Sequence, residues 1–148
     1  MLKAVLDLFR KSPEGNPQQH TVKLATAALL SEIIRADREA DPRELEAYKT
    51  LLNEQFSLSD AELQTLMHEG QSSAEEAVDM VQFTQVINQK CNNDEKQAIL
   101  MDLWKVAYAD KNIAPIEEHT IRRIADLLHL PHSQFIKTKL SVTEPASE

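Results

Sequence analysis

The strongest constraint on this chain is that it writes one motif twice. Ile34-Arg-Ala-Asp37-Arg-Glu-Ala-Asp41-Pro42-Arg-Glu44 is answered by Ala107-Tyr-Ala-Asp110-Lys-Asn-Ile-Ala114-Pro115-Ile-Glu117. Asp37 and Asp110, Pro42 and Pro115, and Glu44 and Glu117 are each separated by 73 residues. In both copies an Ala-Asp closes an apolar segment, and a Pro then a Glu open the next one. A duplicated unit of this size implies two stacked copies with a pseudo-twofold relation, which places their acids at equivalent positions.

Apolar spacing makes the units helical. Positions Val22, Leu24, Ala25, Ala28, Leu29, Ile33, Ile34 and Ala36 spread over a wide arc of a helix spanning about 19–38. A wide arc means burial against several neighbours, and the many alanines suggest close packing. Asp41-Pro42 opens a helix over 42–55, with Asp41 as cap and Glu44 completing a capping-box arrangement. Ser59-Asp-Ala-Glu62 is a second box, starting a helix to about 69, and Ser72/Ser73 with Glu75/Glu76 predicts another to about 89. Asp94 is the expected cap of a helix over 95–110, Pro115 starts one through Leu128, and Pro131 starts a last short one. Nothing alternates with period two, and only two glycines occur, so no strands are expected.

The expectation is an all-α, single-domain bundle of about seven or eight helices with an internal pseudo-twofold repeat. Residues 1–18 read as an amphipathic N-terminal helix (2–10, with Leu2, Val5, Leu6 and Phe9 on one stripe) and a breaker-rich linker. Residues 19–140 form the helical domain, and 141–148 a flexible polar tail.

A net charge of −8 and 5% aromatic residues offer neither a basic face for phosphates nor a stacking platform, so no nucleic-acid partner is expected. No segment reaches the length of a membrane span, and the first ten residues lack the apolar core of a secretion signal. Cys91 stands alone. Together these favour a cytoplasmic protein.

The acids then divide. Asp41 and Glu44 are explained as cap and third helical residue. Glu117 is not, because its partner at the cap position is Ala114, although the helix dipole still favours it. Asp37 and Asp110 sit at helix C-termini, where the dipole disfavours a carboxylate, and that choice is made twice. The acids of the two loops, Asp37, Asp41, Glu44, Asp110 and Glu117, are the candidate site residues, and a shared metal would need both loops together. Carboxylates without His or Cys suit Ca²⁺ or Mg²⁺, and the spacing excludes an EF-hand. No Ser-His-Asp, Cys-His, phosphate-loop or dinucleotide pattern occurs, so no enzyme is expected.

The paired Ala-Asp, short loop and Glu resemble the TerB-type tellurite-resistance family, whose module also opens membrane-anchored DjlA-type co-chaperones. Leu103-Trp-Lys-Val-Ala-Tyr-Ala-Asp110, with Glu117 and Ile121-Arg-Arg-Ile-Ala-Asp-Leu-Leu128, is the closest stretch, and the resemblance covers about 20–138. It implies an all-helical pseudo-twofold bundle and links to tellurite resistance and stress response. It also implies a divalent-cation site at Asp37, Glu44, Asp110 and Glu117. The family usually writes Ala-Asp-Gly; here Arg38 and Lys111 replace the glycines, and Asn112 is the residue expected to take the left-handed turn in the second loop. The function expected is a non-enzymatic module whose acidic loops hold a divalent cation or a basic protein partner. The alternative is a structural adaptor whose acids are caps. A homodimer is left open.

Residues 2–10 lie outside the repeat, and their apolar stripe needs cover. Deleting residues 1–11 should lower the melting temperature by a few degrees, since burying a few large side chains is worth a few kcal/mol at most. An unchanged melting temperature with loss of a dimer or partner would assign the segment to association instead.

Overall fold

A computed structural model describes residues 21–36, 41–77 and 79–144. The predicted N-terminal helix and linker, Asp37 and the last residues of the tail lie outside these. Seven helices and no strand occur among the described residues. They are α1 (Val22–Ala36), α2 (Pro42–Phe56), α3 (Asp60–Glu76), α4 (Val81–Lys90), α5 (Asn93–Ala107), α6 (Pro115–Leu127) and α7 (His132–Thr143).

Helix α1 is the centre of the fold. Every residue from Leu24 to Ser31 is buried. A helix buried all round must have partners all round, and α1 packs on α2, α3, α4, α5 and α6, most extensively on α3. Its small residues allow close approach. At the α1–α3 crossing Gly70 faces Ala27, and a Cβ on Gly70 would fall 2.7 Å from the Ala27 Cβ and 2.8 Å from the Tyr48 hydroxyl. That hydroxyl donates to the Met67 carbonyl at 3.3 Å, tying α2 to α3.

Helix α5, the second copy of α1, buries Ile99, Leu100, Leu103, Trp104, Val106 and Ala107. Trp104 is fully enclosed, and its indole N–H donates to the Thr138 hydroxyl on α7 at 3.1 Å. The Phe135 ring lies 5.1 Å from it. The repeat is kept at the level of burial: Leu30 and Leu103, Ile33 and Val106, and Tyr48 and Ile121 are all enclosed. A left-handed residue follows both α2 and α6: Ser57 (φ 54°) directly, and His129 (φ 61°) after Leu128.

The predicted bundle is observed, with four local differences. Ser72 and Ser73 do not start a helix; α3 runs unbroken to Glu76. Gly70 and Ala74 are buried against the bundle, so packing outweighs the poor helix propensity of the Gly-Gln-Ser-Ser stretch. The next helix starts at Val81, just after Asp79, whose carboxylate accepts the Val81 N–H at 2.9 Å. Asn92, not Asp94, caps α5, in a reciprocal box with Glu95. Finally, α7 continues to Thr143 rather than fraying at Ser141, with Val142 packed against the core. Tyr108, expected in the core with Trp104, is only half-buried.

The close crossing leaves no room for a methyl group. Gly70→Ala should destabilise the fold by about 1–3 kcal/mol through overpacking, despite the better helix propensity of alanine. Chemical denaturation would measure this; a gain in stability would show that α1 and α3 do not meet so closely.

Candidate functional site

The first loop ends on Asp41, whose extended backbone and carboxylate cap α2. Its Oδ1 accepts the Arg43 N–H at 2.7 Å, and both oxygens meet the Arg43 guanidinium, at 3.2 and 3.1 Å. Those hydrogen bonds hold the Asp41 carboxyl below its ordinary pKa. Asp41 is thus a cap and an ion-pair partner, the structural role its position predicted.

The second loop is built differently. Helix α5 closes at Ala107, and Asp110 Oδ1 accepts the Asn112 N–H at 3.0 Å, a local turn of the kind Asp favours. The left-handed residue is Lys111 (φ 67°), not Asn112 as the sequence suggested. The loop takes its left-handed residue at a lysine and bears strain to do so, of the order of 1 kcal/mol for a non-glycine residue. The Lys111 ammonium lies 5.4 Å from the Tyr108 ring centre, where the ring face favours a cation.

Glu44 and Glu117 occupy the third position of α2 and α6, and each is 1% exposed. Two equivalent carboxylates are enclosed in a protein whose other acids are largely at the surface. Glu117 Oε1 accepts the Ala114 N–H at 2.9 Å. The reach-back half of a capping box therefore survives without a capping hydroxyl, which corrects the view that capping cannot account for Glu117.

The loops share a field. The Arg43 guanidinium is held above its ordinary pKa, first by Asp41 and further by Asp110 and Glu44. A cation of the first loop thus senses the acid of the second. The structure pairs Asp41 with Arg43, whose charge also feels Asp110 and Glu44, and buries Glu44 and Glu117 at matching places in the repeat; Asp37 is outside the described residues. Among the described residues, no group of three or more His, Cys, Asp or Glu side chains is arranged to hold a metal ion. With Asp41 committed to Arg43, the described carboxylates do not make a closed cation cage.

One acid escaped the sequence reading. Asp102 lies on the buried face of α5, and its carboxyl is pushed up to about 6. Burial is the largest cause, Lys105 opposes it, and Glu54 on α2 adds to it. The signal was present in the sequence, as a carboxylate inside the apolar run Ile99-Leu-Met-Asp-Leu-Trp104. A groove of about 430 Å³ separates α2 from the end of α5, walled by Arg43, Glu46 and Thr50 on one side and Lys105 on the other.

Compared with known proteins, residues 23–140 match the family model described as tellurite resistance protein TerB. No curated protein and no solved structure matches the chain.

The raised carboxyl of Asp102 has a definite sign. A folded-state pKa above the unfolded value means that the fold holds a proton the unfolded chain releases. The stabilisation is therefore complete below about pH 4 and is lost as pH rises to about 6. Asp102→Asn should flatten this part of the stability profile and narrow the gap between pH 4 and pH 8 by roughly 2 kcal/mol. Thermal melts across this range would show an unchanged gap if Asp102 were solvated.

Proposed function

The chain belongs to the TerB tellurite-resistance family, and from that premise we propose that it is a non-enzymatic binding module whose two acidic loops form one recognition site. The observation that carries this reading is the pair Glu44 and Glu117, both enclosed at equivalent positions in the repeat. Glutamate is seldom enclosed in a fold, and here it is enclosed at both matching positions. A single such residue is an accident of packing; its recurrence 73 residues on, next to a second acidic loop, supports a shared purpose.

The ligand classes are a divalent cation and the basic side chains of a protein partner. Oxygen-only donors suit Ca²⁺ or Mg²⁺. The described carboxylates alone supply too few free oxygens for a cage, so cation binding needs donors beyond them. A basic partner needs less: Arg43 on Asp41 already displays the geometry that an incoming guanidinium would copy. A role in tellurite or stress response belongs to this proposal through the family alone.

A second reading has its own support. Asp41 caps α2, and Glu117 accepts the Ala114 N–H, so both acids also serve helix ends. On that reading the protein is a helical adaptor whose acids are structural.

Calorimetry separates the two. Wild-type protein titrated with Ca²⁺, Mg²⁺, Mn²⁺ and a short Lys/Arg-rich peptide should give heat with at least one, and Asp110→Asn with Glu117→Gln should weaken it at least about tenfold, the loss of one charge-assisted contact. Absence of heat at millimolar cation would remove the metal half. Equal binding by the double variant would leave the adaptor reading.

A further inference from the structure

The repeat provides an internal control for the protein's surface. Ile136 and Leu140 on α7 are 37% and 44% exposed, one helical turn apart. Their equivalents on α3, 72 residues earlier, are Gln64 and His68, both exposed. The register is secured by the buried neighbours, Leu63 with Phe135 and Leu66 with Thr138. The fold therefore places no demand for apolar side chains at these positions, yet the second unit supplies two.

The charges diverge between the units in the same way. Across α6 and α7 up to Lys139 the chain carries Arg122, Arg123, Lys137 and Lys139 against Glu118 and Asp126 outside the core. Arg122, Arg123 and Lys137 are exposed, and Lys139 pairs with Glu118 at 3.2 Å. The pseudo-equivalent stretch is the reverse. Residues 46–67 carry Glu46, Glu54, Asp60 and Glu62 against Lys49, and the remainder of α3 adds Glu69, Glu75 and Glu76 with no Lys or Arg. Two faces that occupy like places in the fold thus carry opposite charge, and one has an apolar centre.

We propose that the α6–α7 face of one molecule docks on the acidic α3 face of a second copy of this chain, head to tail. Ile136 and Leu140 make the dry centre, and Arg123 and Lys137 meet Glu75 and Glu76, all four of which are exposed. The two surfaces are different patches, so the contact is heterologous and can add further copies. Its two apolar residues put it among the small transient interfaces, below about 1,200 Å², and its charges make it salt-dependent. It involves neither acidic loop, so it stands apart from the recognition site proposed above.

Sedimentation velocity tests this on the full chain. From about 10 μM to about 1 mM the wild-type mass should rise at low salt and fall back in about 0.3 M NaCl. Ile136→Gln with Leu140→His, which installs the first unit's own residues, should abolish the rise. The decisive measurement uses two charge reversals. Arg123→Glu/Lys137→Glu breaks the basic face, and Glu75→Lys/Glu76→Lys breaks the acidic face. Each alone should stay monomeric, but their equimolar mixture should associate, because each keeps the face the other lacks. Melting curves check that all variants fold. A monomeric wild type, self-association unaffected by Ile136→Gln/Leu140→His, or a mixture that remains monomeric would each overturn the proposal.

Discussion

The burial of α1 on every side is the constraint from which the rest of this structure follows. A helix enclosed from Leu24 to Ser31 cannot be stable alone; it needs several helices to surround it. Alanines at 25, 27 and 28 and the glycine at 70 let α3 approach close enough to help form that enclosure. Helix α5 repeats the plan with bulkier side chains, and there the Trp104–Thr138 hydrogen bond and the Phe135 ring fasten α7. The two units thus solve the same packing problem differently: small residues and near contact in the first, a large aromatic with a satisfied polar tip in the second.

The acidic loops depend on that scaffold. Each loop joins the end of a central helix to the start of a flanking one, so their positions are set by the packing of four helices. The buried Glu44 and Glu117 lie where those helices begin, and the helix dipole lowers the cost of enclosing a carboxylate there. Arg43 links the loops electrostatically, since it answers to Asp41 and Asp110 together. Lys111 shows the same priority of shape over residue type. The second loop needs a left-handed residue, and the chain takes it with a lysine whose ammonium settles over Tyr108.

Duplication also allowed the outer surfaces to separate in character. Core positions at matching places stay apolar, since packing tolerates little else, whereas exposed positions answer to solvent and partners. The basic α6–α7 face and the acidic α3 face are products of that freedom.

The sequence by itself determined the fold class, the repeat and most helix boundaries, because these rest on local signals: apolar period, Pro at a helix start, and Ser or Asp before a Glu. It also marked the paired acids, through spacing alone. The tertiary structure decided what depends on distant neighbours. Ser72 and Ser73 look like a helix start, but Gly70 pressed on Ala27 keeps α3 whole. Asp102 interrupts an apolar run, but only its burial in the assembled bundle shifts its proton affinity. Asp41 and Asp110 look alike in the motif, yet one is held by Arg43 and the other turns onto Asn112. A local pattern fixes which residues share a helix face; only the assembled bundle fixes which faces meet, and burial, charge pairing and pKa follow from that meeting.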